Sequence, residues 1–437
     1  MYYINQLEEL TETRLLKIIN DFTLNKLPIL QRYKDYYDGN QDILYKQYRN
    51  PDITHNAVIS NYCYNIVSNY EGYLCGLPIT YNSEEDISDL TNILDYNDVH
   101  NEDSNLLESA LIYGVSYEVN YIDYEANVRF KMFDSKEIIP IYSNDLESEL
   151  LACIRIYSAN DIENDQKTYV DVYTDKEIRH YESLLGFASL NFIESKRHYY
   201  NMVPITVFSL NEEEKSIFDR IILLQNAYNN LLSCSIDDYE AFVDSYLVLI
   251  GATVDDDELE KIRQRRVIEA DEVGQVFYLT KDEKGEQKTQ WLLNEIKEEI
   301  HKIAQSPDFS DESFMSQSGI AIRYRLLGME NQASSIESAM KKALLRRIEL
   351  INQMQRLTLS GEGWSQIDIV FTRNLPSDLQ EIITNINSLR SLVSDKTLLS
   401  QLPFIKDVDK ELELLEEQRE SEKDSVNYEF NYEEDEE

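Results

Sequence analysis

The densest chemistry in the sequence is acidic. Asp255-Asp256-Asp257-Glu258 sets four carboxylates side by side, a donor set that could hold metal ions for phosphodiester hydrolysis. The same run suits the first turn of a helix, where carboxylates face the positive end of the dipole and accept from free N–H groups. The helix-start reading is the stronger one. A basic cluster follows at Lys261, Arg263, Arg265 and Arg266. It could meet a partner or DNA, or it could form a solvated helix face paired with Asp256 and Glu260. The solvated face is the plainer assignment.

Other reactive groups are scattered. His55, His100, His180, His198 and His301 include no pair at i,i+4 and join no Cys/His cluster, which argues against zinc. Cys63, Cys75, Cys153 and Cys234 lack paired metal-ligand spacing and read as buried free thiols of a reducing compartment. Only 12 glycines occur in the 437 residues. No Gly-rich loop ends in Lys-Ser/Thr, and neither Gly-x-Gly-x-x-Gly nor Gly-x-Ser-x-Gly appears. These absences argue against an ATPase, and the chain is expected to be no enzyme and to need no cofactor or metal.

Hydrophobic residues make up 42% and charged residues 28%, the balance of a soluble globular protein. The length suffices for two to four structural units with a real core. No stretch approaches the roughly 20 apolar residues of a membrane span. The first residues, Met1 to Glu9, lack the basic-then-apolar pattern of a signal peptide, so the protein is expected to stay in the cytosol where it is made. The net charge of −41 repels phosphate backbones and makes gripping of nucleic acid through basic patches a poor fit. Such charge serves solubility. It also suits a wall that touches DNA without holding it.

The elements that would position these groups follow from periodicity. Gln6 to Tyr37 is amphipathic and helical, closed by the turn Asp38-Gly39-Asn40. Helices are expected at about Asn56 to Leu74 and Asp103 to Tyr113. Between Ser116 and Phe208 the runs Val128–Met132, Cys153–Ile156–Tyr157 and Tyr169–Tyr173 are rich in β-branched and aromatic residues, as in an antiparallel meander. A long helix is expected from Glu212 to about Leu249. Ile217, Ile221, Leu224, Tyr228 and Leu231 form its narrow apolar seam, and thirty such residues would extend about 45 Å. A compact segment from Ala252 to Gly285 holds the strand-like run Val276 to Thr280. A second long helix, Thr289 to Gln305, carries Leu292, Ile296, Ile300 and Ile303 on one face. After a polar stretch from Ser306 to Gly319, a third helix covers Ile320 to Arg356, with Ile336, Met340, Leu344, Ile348 and Ile351 as its seam. Gln366 to Phe371 alternates like a strand. Helices from Asp378 to Glu420 end the ordered part, and the acidic tail beyond Ser421 should be disordered and solvated.

Several motifs then carry a resemblance. Tyr36-Tyr37-Asp38-Gly39 looks like a Tyr-x-Gly turn. Asn69-Tyr70-Glu71-Gly72-Tyr73-Leu74-Cys75-Gly76-Leu77-Pro78-Ile79 looks like a Gly-Tyr-Leu-x-Gly-x-Pro signature. Ile112 to Glu118 forms a similar turn, and Val203-Pro204-Ile205 with Asn211-Glu212-Glu213 leads into the first long helix. The strongest match is Pro307-Asp308-Phe309-Ser310-Asp311-Glu312-Ser313-Phe314 followed by Ser318 to Tyr324. In this order, over about residues 30 to 415, the chain resembles the portal, or head-to-tail connector, family of tailed phages infecting Gram-positive bacteria.

That resemblance implies an α+β, mainly helical, portal-type subunit. Its parts would be a wing (1–210), a first stem helix (211–250), a small α/β clip (251–286) and a second stem helix (287–305). A tunnel loop (306–318), a return to the wing (319–376), helical crown (377–420) and acidic tail (421–437) would follow. Family members form rings, of twelve subunits in the capsid, by a heterologous contact that closes. Asp308, Phe309, Ser310, Ser313, Phe314, Ser316 and Gln317 would face double-stranded DNA in the bore, and Lys261, Arg263, Arg265 and Arg266 would dock partners. Those partners would be terminase, then a head-completion adaptor, with major capsid or scaffold protein around the ring and no membrane. The protein would be assembled in the host cytoplasm and reside at one vertex of the virion. Two features depart from the pattern: the C-terminal region is short, and residues 306–318 contain no Lys or Arg. Two other classes stay open at this point, a metal-dependent nuclease or phosphodiesterase and an acidic scaffold or DNA mimic that would be a monomer or dimer.

Overall fold

Tyr2-Tyr3-Ile4 opens the chain with residue types suited to a strand, and these form β1 (Tyr2–Ile4). The computed structural model describes residues 2–47, 55–160, 166–184, 186–243, 247–250, 275–278, 283–311, 319–354, 357, 363–374, 390, 393–394, 398, 411–412 and 414–415. The chain divides into two compact units, Met1–Asn374 and Leu375–Glu437.

In the first unit, α1 (Glu12–Asp21) and α2 (Leu27–Asp38) are joined by a π-helical turn, Phe22–Lys26. Pro28 has no N–H to donate and its ring crowds the carbonyl four residues back, so one widened turn lets the helix continue. Gly39, at φ +86°, ends α2 in the left-handed conformation open to glycine. There follow α3 (Tyr62–Cys75), β2 (Thr80–Asn82), α4 (Ser88–Tyr96) and α5 (Val99–Tyr113). The helix expected from Asn56 starts six residues later. Asn56 to Asn61 instead run without regular helix or strand structure, for a reason given below.

The sheet region comprises β3 (Val115–Ile122), β4 (Val128–Phe133), β5 (Ile138–Ser143), β6 (Leu150–Asn160), β7 (Gln166–Tyr173), β8 (Glu177–Leu184), β9 (Ser189–Arg197) and β10 (Ile205–Ser209). The expected meander is there: β5 to β9 pair successively antiparallel, and β1 adds a parallel edge beside β5. A separate three-stranded sheet has the order β10-β3-β4. Both faces of β3 are buried. Val115, Tyr117 and Val119 join Ile138, Cys153 and Tyr173 in an apolar layer. The alternate residues Ser116, Glu118 and Asn120 are polar and equally buried.

Next come α6 (Ile222–Val243), β11 (Leu247–Ile250), β12 (Gln275–Tyr278), α7 (Glu283–Ile303), α8 (Gly319–Gln353) and β13 (Asp368–Val370). The first long helix was expected to reach Leu249, but Leu247–Ile250 is a strand paired antiparallel with Gln275–Tyr278. Its β-branched apolar run finds ladder partners there that a helix would deny it. At 22 residues, α6 spans about 33 Å rather than 45 Å. It packs against α7. The seam expected on α8 is correct: Ile336, Met340, Leu344, Ile348 and Ile351 are all buried. β13 pairs with β2, closing the C-terminal side of this unit onto its N-terminal side. Cys63, Cys75 and Cys153 are buried free thiols as expected. Cys234 is exposed, because it lies on an uncovered face of α6.

In the second unit Leu398 is buried and donates its N–H to the Ser394 carbonyl at 3.1 Å. Among the described residues no helix is long and apolar enough to cross a membrane.

Candidate functional site

The α6–α7 pair and the segment after it are held by polar contacts that begin with α6. The apolar seam read from the sequence is only half-buried at Leu224, Tyr228 and Leu231, whereas Gln225, Asn229 and Ser233 are fully buried. Together with Asp237, these residues recur every four positions and so share one helix face. They bind the main chain of the segment before α3. Asn56 N–H donates to Asp237 Oδ1 (2.8 Å), Val58 N–H to Ser233 Oγ (3.0 Å), Ser60 N–H to Asn229 Oδ1 (3.0 Å) and Tyr62 N–H to Gln225 Oε1 (3.2 Å). Gln225 Nε2 returns a bond to the Ser60 carbonyl at 2.5 Å. Residues 56–61 need no helix, because α6 supplies hydrogen bonds to alternate main-chain N–H groups and to the Ser60 carbonyl.

The far end of α7 is capped from α3. Tyr70 Oη donates to the carbonyls of Ala304 (3.0 Å) and Gln305 (3.2 Å), which no helical N–H reaches. Asn69 Nδ2 donates to Ser306 Oγ at 3.0 Å. The Ser306 carbonyl lies 2.9 Å from His301 Nδ1. Three residues on, Tyr73 donates to Glu330 of α8 (2.5 Å), and Arg373 binds both Glu330 (2.9 Å) and Glu337 (2.7 Å). A Cβ on Gly76 would lie 2.2 Å from the Gly72 carbonyl oxygen and 2.3 Å from Asn374 Nδ2. The Asn69–Ile79 motif is thus a structural junction. It fixes the end of α7, the flank of α8 and the strand after it.

A buried ion triad joins α8 to the sheet region. Arg347 makes a bidentate pair with Glu118 of β3 (2.8 and 2.7 Å) and a further bond to Asp103 of α5 (2.5 Å). Its guanidinium lies 4.4 Å from the centre of the Phe130 ring. Burial pushes both carboxyls upward in pKa, opposed by the guanidinium between them. Burial would lower Arg347, but the two carboxylates more than reverse this and keep it charged. Sequence reading missed these residues. A polar residue at alternate positions of a buried strand is the signal that could have found Glu118.

Of the residues expected to face DNA, Asp308, Phe309 and Ser310 are described; Ser313, Phe314, Ser316 and Gln317 lie outside the described residues. The expected clip cations Lys261, Arg263, Arg265 and Arg266 lie outside them too, as does the acidic run Asp255–Glu258. Both carboxylate oxygens of Asp308 have partners. One oxygen pairs with Lys297 of α7 at 2.5 Å, and the other accepts from the Ser310 N–H (3.0 Å) and Oγ (2.6 Å). Burial would raise its carboxyl, but the bonds from Lys297 and Ser310 outweigh it and hold the group at about 2. Asp311 pairs with Arg325 of α8 at 3.5 Å. Among the described residues no three His, Cys, Asp or Glu side chains gather as a metal site.

Comparison with known proteins gives this geometry a family. Residues 16–425 match the family described as phage portal protein, SPP1 Gp6-like. The chain belongs to that family. It is 25% identical, over an alignment 446 positions long, to a portal protein of Clostridium phage phiCD119, covering 95% of this chain and 97% of that one. It is 22% identical over 370 aligned residues to the portal protein of Bacillus phage SPP1, covering 79% of this chain and 73% of that one. Portal proteins are structural virion components that assemble as oligomers in the phage capsid, and they are not enzymes. The expectation of a non-enzymatic portal subunit is therefore correct.

Proposed function

We propose that the chain is one subunit of a ring seated at a single capsid vertex, through whose bore viral DNA is packaged and later released. Residues 1–210 and 319–376 form the wing, and residues 211–250 and 287–305, which contain α6 and most of α7, form the stem. Residues 251–286 form the clip, 306–318 the loop that meets DNA, 377–420 the crown and 421–437 an acidic tail. The clip, with its basic residues Lys261, Arg263, Arg265 and Arg266, docks the terminase during packaging and a head-completion adaptor afterwards. Capsid or scaffold protein surrounds the wing.

The observation that carries this reading is family membership across nearly the whole chain. Two further features support it. First, the helices α6, α7 and α8 expose large apolar side chains that a single subunit leaves uncovered: Leu223 is 79% exposed, Trp291 58% and Tyr324 76%. Isolated exposed apolar residues are ordinary, but several on neighbouring rods suit burial against further copies. Second, a net charge of −41 suits a bore that repels phosphate and lets DNA slide.

Negative-stain imaging of the purified protein tests the proposal. A ring with a central hole is the expected result. A folded monomer or dimer that binds basic proteins would overturn it in favour of the scaffold or DNA-mimic class.

A further inference from the structure

Residues 306–311 leave α7 sharply. Gln305 adopts a left-handed conformation (φ +51°), and Asp308 to Asp311 make a tight turn in which Asp311 N–H donates to the Asp308 carbonyl at 3.3 Å. The two carboxylates at the ends of this turn are held from different helices. Asp308 is pulled to Lys297, two turns before the end of α7, and Asp311 to Arg325, two turns into α8. Ser310 uses both its N–H and its hydroxyl on the same Asp308 oxygen, which stiffens the turn internally. Asn69 and His301 fix the buried Ser306, two residues before the turn.

We infer that Lys297 and Arg325 are positioning residues for the loop between α7 and α8: they sling its first turn between the two helices and so set where the rest of the loop begins. Asp308 then serves as the anchor of the turn rather than as a contact to DNA, since both its oxygens are taken. The pairs differ in strength. Lys297 and Asp308 are largely covered and close, at 33% and 24% exposure, while Arg325 and Asp311 are longer and wetter. Lys297 therefore carries most of the positioning, and the Arg325 pair weakens in salt. The functional meaning rests on the portal reading, in which this loop faces the bore; the positioning itself does not.

The test uses the full chain with Cys234→Ser, which removes the exposed thiol, and Phe309→Cys as a reporter on the exposed Phe309. The rate of maleimide labelling is measured with Lys297→Met, Lys297→Arg and Arg325→Gln added. Lys297→Met is expected to raise the rate about two- to fivefold, the range an ion pair of this exposure supports. Lys297→Arg, which keeps the charge and reach, should restore it. Arg325→Gln should have a smaller effect that disappears at high salt. Equal rates in all variants, or a failure of Lys297→Arg to restore the slow rate, would overturn the inference. Imaging of the same samples reports the ring separately. A changed rate without a ring sinks the portal reading alone, and a ring without a changed rate sinks the positioning alone.

Discussion

Asn229 on α6 holds the main chain of Ser60, accepting its N–H at 3.0 Å while donating through Nδ2 to Gln41 at 2.6 Å. The contact is one rung of a ladder, with helix positions 225, 229, 233 and 237 meeting residues 62, 60, 58 and 56. The match is geometric. Four helical residues advance about 6 Å and two extended residues about 6.6 Å, so each rung falls near its partner over three steps. An α-helix thereby does the work of a neighbouring strand.

Replacing Asn229 by Leu keeps the branched shape, with somewhat larger methyl groups, and removes the rung. Ser60 N–H, Gln41 Oε1 and Gln225 Nε2 would each lose a buried partner. The expected loss of stability is about 2–4 kcal/mol, since stranded buried polar groups cost far more than the net value of a bond. Chemical denaturation of the purified chain measures it. A change near zero would mean that the segment before α3 is not held by α6.

Much of the fold was legible because its signals are local. The α8 seam, the Gly39 stop and the strand runs at Val128, Cys153 and Tyr169 each depend on neighbours a few residues away, and the structure has them. The ladder was not legible. Gln225, Asn229 and Ser233 look like the wet side of a helix, and only a segment 160 to 180 residues away makes them core. Leu247–Ile250 failed for the same reason, since its partner Gln275–Tyr278 is remote in sequence. The Lys297–Asp308 pair was hidden in the same way, because its two residues belong to different elements. In the Asn69–Ile79 motif the resemblance located the residues, but it could not say that Tyr70 caps one helix while Tyr73 braces another.

Arg347 and its two carboxylates should respond unequally to substitution. Arg347→Met leaves Asp103 and Glu118 buried without a cation, and breaking a buried pair in this way costs about 3–5 kcal/mol. Glu118→Gln should cost less. The amide oxygen can still accept one Arg347 N–H and Asp103 still balances the guanidinium, although the amide NH2 then faces the second donor that a carboxylate oxygen satisfied. Denaturation of the two variants side by side decides it; equal losses would contradict this account of the triad.

Acid should loosen the base of the loop. Asp308 is held at about 2, whereas an unfolded aspartate titrates near 4. A depressed folded pKa means that the group stabilises the fold fully above the unfolded value, and that this contribution drains away as pH falls from about 4 to about 2. Wild type should therefore exceed Asp308→Asn in stability at pH 6, and the difference should close over that acid window. Subtracting the variant cancels the titration of the many other carboxylates. A difference that stays constant from pH 6 to pH 2 would show that Asp308 does not act through its charge.

The exposed apolar residues of the helices give the sharpest separation between folding and assembly. Leu223 and Tyr324 are mostly exposed in the single chain, so Leu223→Glu and Tyr324→Glu should change the stability of one subunit by no more than about 0.5 kcal/mol, as surface substitutions do. In a ring each would place a carboxylate between copies, where an unpaired charge is costly, and the cost would recur at every subunit contact. The double variant should keep its circular-dichroism spectrum and elute as a folded monomer in light-scattering chromatography, where the unaltered chain should run as a ring. If the variant still forms rings, these faces point to solvent and the contacts between subunits lie elsewhere on the chain.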